Sequence, residues 1–176
     1  LIPFPEKKYD IIYADPAWEY GGSKNGKHYS ALAPEKHYPC LSVKQLSVMP
    51  VQDIVADDCL LFMWSPSSHL EGVITVGNNW GFNFITVAFV WDKQRLVPSF
   101  YTLSQIEMCL VFKKGKIPRP RGSRNVRQFL SVKRREHSQK PDEVRDRIVE
   151  MFPAQSKIEL FARERFEGWD AWGNEV

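Results

Sequence analysis

Five runs of the chain are apolar enough, and rich enough in β-branched and aromatic residues, to be read as strands: YDIIYA (9–14), CLLFMWS (59–65), FITVAFVWDK (84–93), IEMCLVFKKG (106–115) and KIELFA (157–162). Between them the period changes. LSVKQLSVMPVQDIV (41–55) places Leu41, Leu46, Met49 and Val51 among polar residues, and Pro50 divides it into one or two short helices. SHLEGVITVGNNWGF (68–82) has Leu70, Val73, Ile74 and Val76 near helical spacing, with a stop expected at Gly77-Asn78. KPDEVRDRIVEMFP (140–153) is the strongest helix signal. Pro141 suits a first-turn position, and Asp142 and Glu143 complement the positive end of the helix dipole. Val144, Ile148, Met151 and Phe152 form its apolar stripe, which leaves Arg145, Asp146, Arg147 and Glu150 facing out. GGSKNGKHYSALAP (21–34) reads as a loop and FEGWDAWGNEV (166–176) as a tail rich in turn residues. Strands alternating with helices predict an α/β domain over residues 1–176, built on a mostly parallel sheet.

Composition narrows the class. The 176 residues are 43% hydrophobic and 13% aromatic, which suits one globular domain with a sizeable core. No apolar run is long enough for a bilayer, and the opening LIPFPEKKYD has no secretory pattern. Cys40, Cys59 and Cys109 form no CxxC pair, and His28, His37, His69 and His137 have no metal spacing. This argues against a disulfide framework and a structural metal, and for a reducing, cytoplasmic compartment.

The net charge is +3, but it is unevenly placed. KKGKIPRPRGSRNVRQFLSVKRR (113–135) carries Lys113, Lys114, Lys116, Arg119, Arg121, Arg124, Arg127, Lys133, Arg134 and Arg135 without one acid. Pro118, Pro120 and Gly122 make its first half a mobile loop. A one-signed run of this size predicts a phosphate footprint, with Lys113, Lys114, Arg119, Arg121, Arg124, Arg134 and Arg135 as candidate nucleic-acid contacts.

The first strand ends abruptly on Asp15-Pro16-Ala17-Trp18. In open α/β sheets ligands bind at the carboxyl ends of the strands, which would put Asp15 in the crevice. Pro16 has no amide hydrogen and restricts the residue before it, so nearby carbonyls remain free to accept. Trp18 or Tyr20 would add a flat apolar face. A carboxylate, a rigid carbonyl and an aromatic ring suit a planar heterocycle with an exocyclic NH2. Two acceptors holding both amine hydrogens would orient the nitrogen lone pair for alkylation. Asp15 at an ordinary pKa of about 4 is too weak a base to deprotonate the amine first. It is assigned hydrogen bonding and stabilisation of developing positive charge, with the proton lost after transfer. The alkyl donor would be a sulfonium methyl group.

These segments resemble the MTA-type N6-adenine methyltransferases, the group marked by a DPPW motif. YADPAW matches the catalytic motif; CLLFMWS, with Trp64, and FVWDK, with Trp91, match the strands that follow. IEMCLVFKKG matches a strand carrying a glutamate at the position of Glu107. HSQKPDEV, KIELFAR and GWDAWGNEV match the C-terminal block. The resemblance implies a Rossmann-like fold in permuted order, with the catalytic strand first, and S-adenosylmethionine as cofactor. It places Asp15, Pro16, Ala17 and Trp18 in catalysis. Lys140 would lie at the donor's carboxylate, Phe161 and Arg163 around its adenosine, and Asn174 and Glu175 at its ribose. Asp15 would also lie near its amino group, and Tyr38, with Tyr20 and Trp64, would line the substrate pocket.

The chain departs from the pattern at Ala17, which replaces the second proline, and at Gln139, where some relatives carry histidine. The implied activity is methylation of adenine N6 in DNA, as in compact bacterial and phage members. RNA as substrate, or a non-catalytic nucleic-acid-binding subunit, are the alternatives. A homodimer or a related partner subunit is the expected assembly.

Overall fold

The computed structural model describes residues 2–19, 40–99, 101–135 and 139–176. Strand β1 (Tyr9–Ala14) lies inside the sheet, and what surrounds it decides the architecture. Helix α1 (Val43–Ser47), a 3-10 turn (Val51–Ile54), strand β2 (Val55–Ser65) and helix α2 (Leu70–Asn79) follow in order. Strands β3 (Asn83–Pro98), β4 (Leu103–Lys114) and β5 (Phe129–Ser131) come next, then helix α3 (Asp142–Met151) and strands β6 (Lys157–Leu160) and β7 (Asp170–Trp172). The sheet order is β5-β3-β4-β2-β1-β6-β7. Only β4 among these runs against the others, because β2–β4 and β3–β4 are the antiparallel pairs.

β1 is apolar on both sides because both faces of the sheet are covered. Ile12 and Ala14 join the core beneath α1 and α2, with Leu46, Val51, Ile54, Val73 and Val76. Ile11 and Tyr13 point the other way, toward Val144 and Ile148 of α3. This is period-two alternation inside a strand with almost no polar positions, as expected for a parallel strand between two helical layers. A Ser42–Gln45 capping box starts α1, and Pro50 separates it from the 3-10 turn. Gly77 does not end α2. It lies buried inside the helix against the Phe112 ring, where a β-carbon would collide, and the chain turns instead at Gly81, with φ 85°.

Three expectations need correction. Phe129–Ser131 and Asp170–Trp172 are edge strands, each only three residues long, the first in the part of the basic run where no strand is expected and the second in the segment expected to be a tail. Such short strands leave no readable period; they exist because β3 and β6 offer open edges to pair with. The first half of the basic segment is tied down rather than mobile. Gly122 N–H donates to the Met151 carbonyl (2.9 Å), Ser123 N–H to that of Glu150 (2.8 Å), and Gln155 Nε2 to that of Pro120 (2.9 Å). Arg145 does not face out; it is buried between α3 and β6.

Candidate active site

Loops after β1 and β6 leave the sheet in opposite directions, toward β2 and toward β7. A crevice at the carboxyl ends of two such strands is the usual ligand position in a doubly wound sheet. Asp15 and Pro16 follow β1 directly into it, and Phe161, Ala162 and Arg163 follow β6. Phe161 has φ 63°, in the left-handed region that a non-glycine residue seldom adopts. Its ring packs edge-on to Trp172, at 5.6 Å between centroids. Gly173 lies against the Ala162 backbone so closely that a β-carbon would overlap the carbonyl oxygen. That approach brings 174–175 beside 161–163, and Arg163 Nε lies 3.9 Å from a Glu175 carboxylate oxygen.

The loop after Asp15 is fixed by Trp18. Its Nε1 donates to the Trp64 carbonyl (3.3 Å), and the Trp18 backbone bridges to Leu41. A flat open face is expected of Trp18 or Tyr20; Trp18 is only 3% exposed and instead anchors the turn. Ala17, in the place of a second proline, is half-buried, and its carbonyl accepts from Leu41 N–H at 2.8 Å. Trp64 is fully buried and donates through Nε1 to the Tyr13 hydroxyl (2.6 Å). Tyr20 and Tyr38 lie outside the described residues.

The charged groups are more connected than their sequence positions suggest. Lys140 does not stay at the start of α3. Its ammonium sits 2.9 Å from Asp15 Oδ1 and 3.3 Å from Glu107 Oε2, over the Trp64 ring at 5.6 Å. Glu107 in turn accepts from Lys93 Nζ at 3.2 Å. The result is an alternating row, Lys93–Glu107–Lys140–Asp15. Burial pushes the Asp15 carboxyl above its usual range, while Lys140 pulls it back. Burial also acts upward on Glu107, but the two lysines outweigh it and hold that carboxyl below its usual range. Lys140 is raised, because Asp15 and Glu107 outweigh the cost of burying its charge. Cys109, buried beside this group, is pushed up by desolvation and stays a neutral thiol.

The family pattern points to Glu107, but nothing in the sequence reading singles out Lys93. A signal for both is present. Phe89, Trp91 and Lys93 share one face of β3, as do Glu107 and Cys109 on β4, so each charge continues a buried alternation.

A second buried cluster lies one strand away. Arg145 Nη1 donates to both Glu159 oxygens (3.1 and 3.0 Å), and its Nη2 bonds to Asp142, which also pairs with Arg135 (2.6 Å). The guanidinium stacks on Phe166 at 3.5 Å. Burial pushes the Glu159 carboxyl up to about 7, against the opposing pull of Arg145.

The sheet divides the basic run. Because β4 is reversed, Lys113 and Lys114 pair with Leu60 and Cys59, at the end opposite Asp15. Gly122 and Ser123 dock on the C-terminal turn of α3 at that same end, so Arg121 and Arg124 are there too, with Arg121 stacked on Phe152 at 5.0 Å. Arg119 precedes them on the same loop. β5 then returns the chain to the crevice end, where Val132 N–H donates to the Asp92 carbonyl and Arg134 N–H to that of Lys93. Lys133, Arg134 and Arg135 are thus separated from the rest of the expected footprint. Among the described residues no cluster of His, Cys, Asp and Glu could hold a metal ion, and no helix is long and apolar enough to cross a membrane.

A doubly wound sheet that delivers a carboxylate and a proline carbonyl to one crevice, beside a strained strand exit and a Gly-Asn-Glu turn, is the architecture of a Rossmann-like methyltransferase. The sequence makes the assignment specific: the MT-A70 family model matches residues 9–175, and the chain belongs to that family. It is 51% identical over 186 residues to the type II methyltransferase M.MunI of a Mycoplasma species, covering 98% of this chain and 79% of that protein. It is 27% identical over 190 residues to the mouse N(6)-adenine-specific methyltransferase METTL4, covering 97% of this chain but 38% of the relative. A probable N(6)-adenosine-methyltransferase of rice is 27% identical over 180 residues, and the chain spans 23% of it. Family members methylate adenine N6, in DNA or in RNA.

Proposed function

We propose that this protein transfers a methyl group from S-adenosylmethionine to the N6 amine of adenine in DNA. The observation that carries the reading is the Asp15-Pro16 pair, delivered by β1 to the crevice. Asp15 keeps 24% of its side chain open there although Lys140 holds it. A carboxylate has about four acceptor sites, so an oxygen engaged by an ammonium can still accept from an amine hydrogen. Pro16 is buried and supplies a carbonyl on a backbone with no amide hydrogen to compete. Together they would hold the two N6 hydrogens and stabilise the positive charge that develops on nitrogen.

The residues around the crevice suit the cofactor's chemistry. Phe161 offers a ring to a purine, Asn174 and Glu175 offer acceptors for ribose hydroxyls, and Arg163 and Lys140 offer cations for a carboxylate. When bound, S-adenosylmethionine supplies an electrophilic methyl on a sulfonium. In this structure Lys140 already serves Asp15 and Glu107, so a donor carboxylate would join them as a third anion at the same ammonium.

A base inside a duplex must leave the stack to reach Asp15. Lys133, Arg134 and Arg135 stand at that end of the sheet and would take the flanking phosphates. The 51% identity to a type II methyltransferase supports DNA as the polymer. The test is transfer of labelled methyl to duplex DNA, single-stranded DNA and RNA oligonucleotides, with Asp15→Ala in parallel. Labelled adenine in DNA that disappears with the substitution is the expected result. Labelling of RNA alone would change the substrate, and labelling of neither would overturn the reading.

A further inference from the structure

We propose that Lys93 is a positioning residue for methyl transfer: through Glu107 it sets how much of the Lys140 ammonium is available to Asp15. The proposal rests on the reading of Asp15 given above. Its basis is the row Lys93–Glu107–Lys140–Asp15, in which ion pairs of 3.2, 3.3 and 2.9 Å join side chains from β3, β4, the entry to α3 and the end of β1. Two of its members are nearly closed to solvent, with 11% of the side chain exposed for both Lys93 and Lys140. Buried charges must be paired, and here each carboxylate competes for the same central cation.

With Lys93 in place, Glu107 is served from two sides and does not need Lys140 alone. Without Lys93, Glu107 would be a buried carboxylate whose remaining cation is Lys140. The ammonium, on a flexible stem with rotatable donors, would shift toward Glu107. Asp15 would then lose part of the charge that offsets its burial.

The backbone makes Lys93 a fixed support. Trp91 pairs with Glu107 across the β3–β4 ladder, and the Lys93 carbonyl accepts from Arg134 N–H at 3.3 Å. Lys93 therefore also links the acceptor at Asp15 to the basic segment at the crevice end. Among the described residues, the other groups that bear on Asp15 are Arg163 after β6, Glu159 on β6 and the neutral thiol of Cys109 on β4. None of them is altered by removing Lys93.

The experiment is the pH dependence of kcat/KM for labelled methyl transfer to the preferred oligonucleotide, measured for the wild type, Lys93→Met, Lys93→Arg and Lys93→Met/Glu107→Gln. The acid limb reports protonation of the group that must be ionised. Lys93→Met is expected to move the acid limb upward by about half a unit to one unit, and so to lower kcat/KM by about 3- to 10-fold on the acid side of that limb. Lys93→Arg keeps the cation and should retain the wild-type limb. The double variant removes both the cation and the carboxylate that needs it, returns Lys140 to Asp15, and should move the limb back. This reversal separates positioning from packing, since a structural loss would deepen with a second substitution. A wild-type limb in folded Lys93→Met overturns the proposal. So does a double variant whose limb stays above that of the wild type, which also decides the matter should Lys93→Met not fold. Inactivity of the wild-type protein on every polymer would instead overturn the methyltransferase reading on which the proposal rests.

Discussion

Lys140 and Arg145, on the α3 side of the sheet, each sit between carboxylates, and they are built for different ends. Arg145 holds Glu159 through two bonds, reaches Asp142 with its other nitrogen and is covered by Phe166. Lys140 is shared between Asp15 and Glu107. A planar guanidinium locks a carboxylate in one geometry, whereas an ammonium is a point charge that can be redistributed between partners. Exposure follows the same division. The Arg145 and Glu159 side chains are 8% and 11% exposed, whereas Asp15 keeps 24% of its side chain open. Ion pairs alike by inspection thus divide into a clamp, joining α3 to β6, and a shared ammonium beside a carboxylate that stays partly open, the one the proposed function uses as its acceptor.

That comparison can be broken first at the clamp. Measured well above pH 7, where Glu159 is ionised, Arg145→Met leaves that carboxylate buried without its cation, which should cost about 3–5 kcal/mol of stability, read as a lower denaturant midpoint. Methyl transfer per folded molecule should change far less, since Arg145 does not touch Asp15. A variant of unchanged stability would end the distinction between the clusters. Asp15→Ala tests the other side. It should lower kcat by about 10²–10³-fold, equivalent to about 3–4 kcal/mol, through loss of a preorganised acceptor. Its stability should fall little, because Lys140 keeps Glu107 as a partner.

The clamp also has a pH signature. The Glu159 carboxyl titrates near 7 in the folded chain, against an ordinary 4.5. Between those values the unfolded chain has released a proton that the folded chain still binds. Stability from this group is therefore complete below about 4.5 and falls as pH rises through about 7. Thermal unfolding of wild type and Glu159→Gln across that window should show the decline in the wild type and a flatter profile in the variant.

The smallest effect concerns the divided basic run. Lys133→Ala/Arg134→Ala should reduce the salt slope of DNA binding by about one to two, at about 0.9 for each phosphate no longer neutralised. Lys113→Ala/Lys114→Ala, at the far end of the sheet, should leave the slope unchanged. Equal slopes for the two pairs would show that DNA spans both ends.

Much of the fold was legible in the chain. Five strands were readable because each is long or apolar enough to carry its own signal, and apolarity on both faces places YDIIYA inside the sheet and not at its edge. Pro50 and Pro141 punctuate the helices by covalent geometry alone, and Asp15-Pro16 is legible as a candidate acceptor pair because a carboxylate, a missing amide and a strand end are adjacent in sequence. β5 and β7 were not legible, since three residues that pair with an edge supplied from elsewhere have no period of their own. Arg145 was misplaced for a related reason. A charge on a helix reads as solvent-facing unless its partner is known, and Glu159 is supplied by another element.

Local pattern and short-range stereochemistry suffice to read the layered α/β class, the Asp15-Pro16 strand end and the family from the chain. Tertiary structure alone decided which charges meet. Lys93, Glu107, Lys140 and Asp15 are far apart in the chain and come from four elements. It also divided the basic residues of one uninterrupted run between opposite ends of one sheet, through the single reversed strand β4. Electrostatic interaction depends on distance through space, and strand direction, which no local pattern records, fixes that distance.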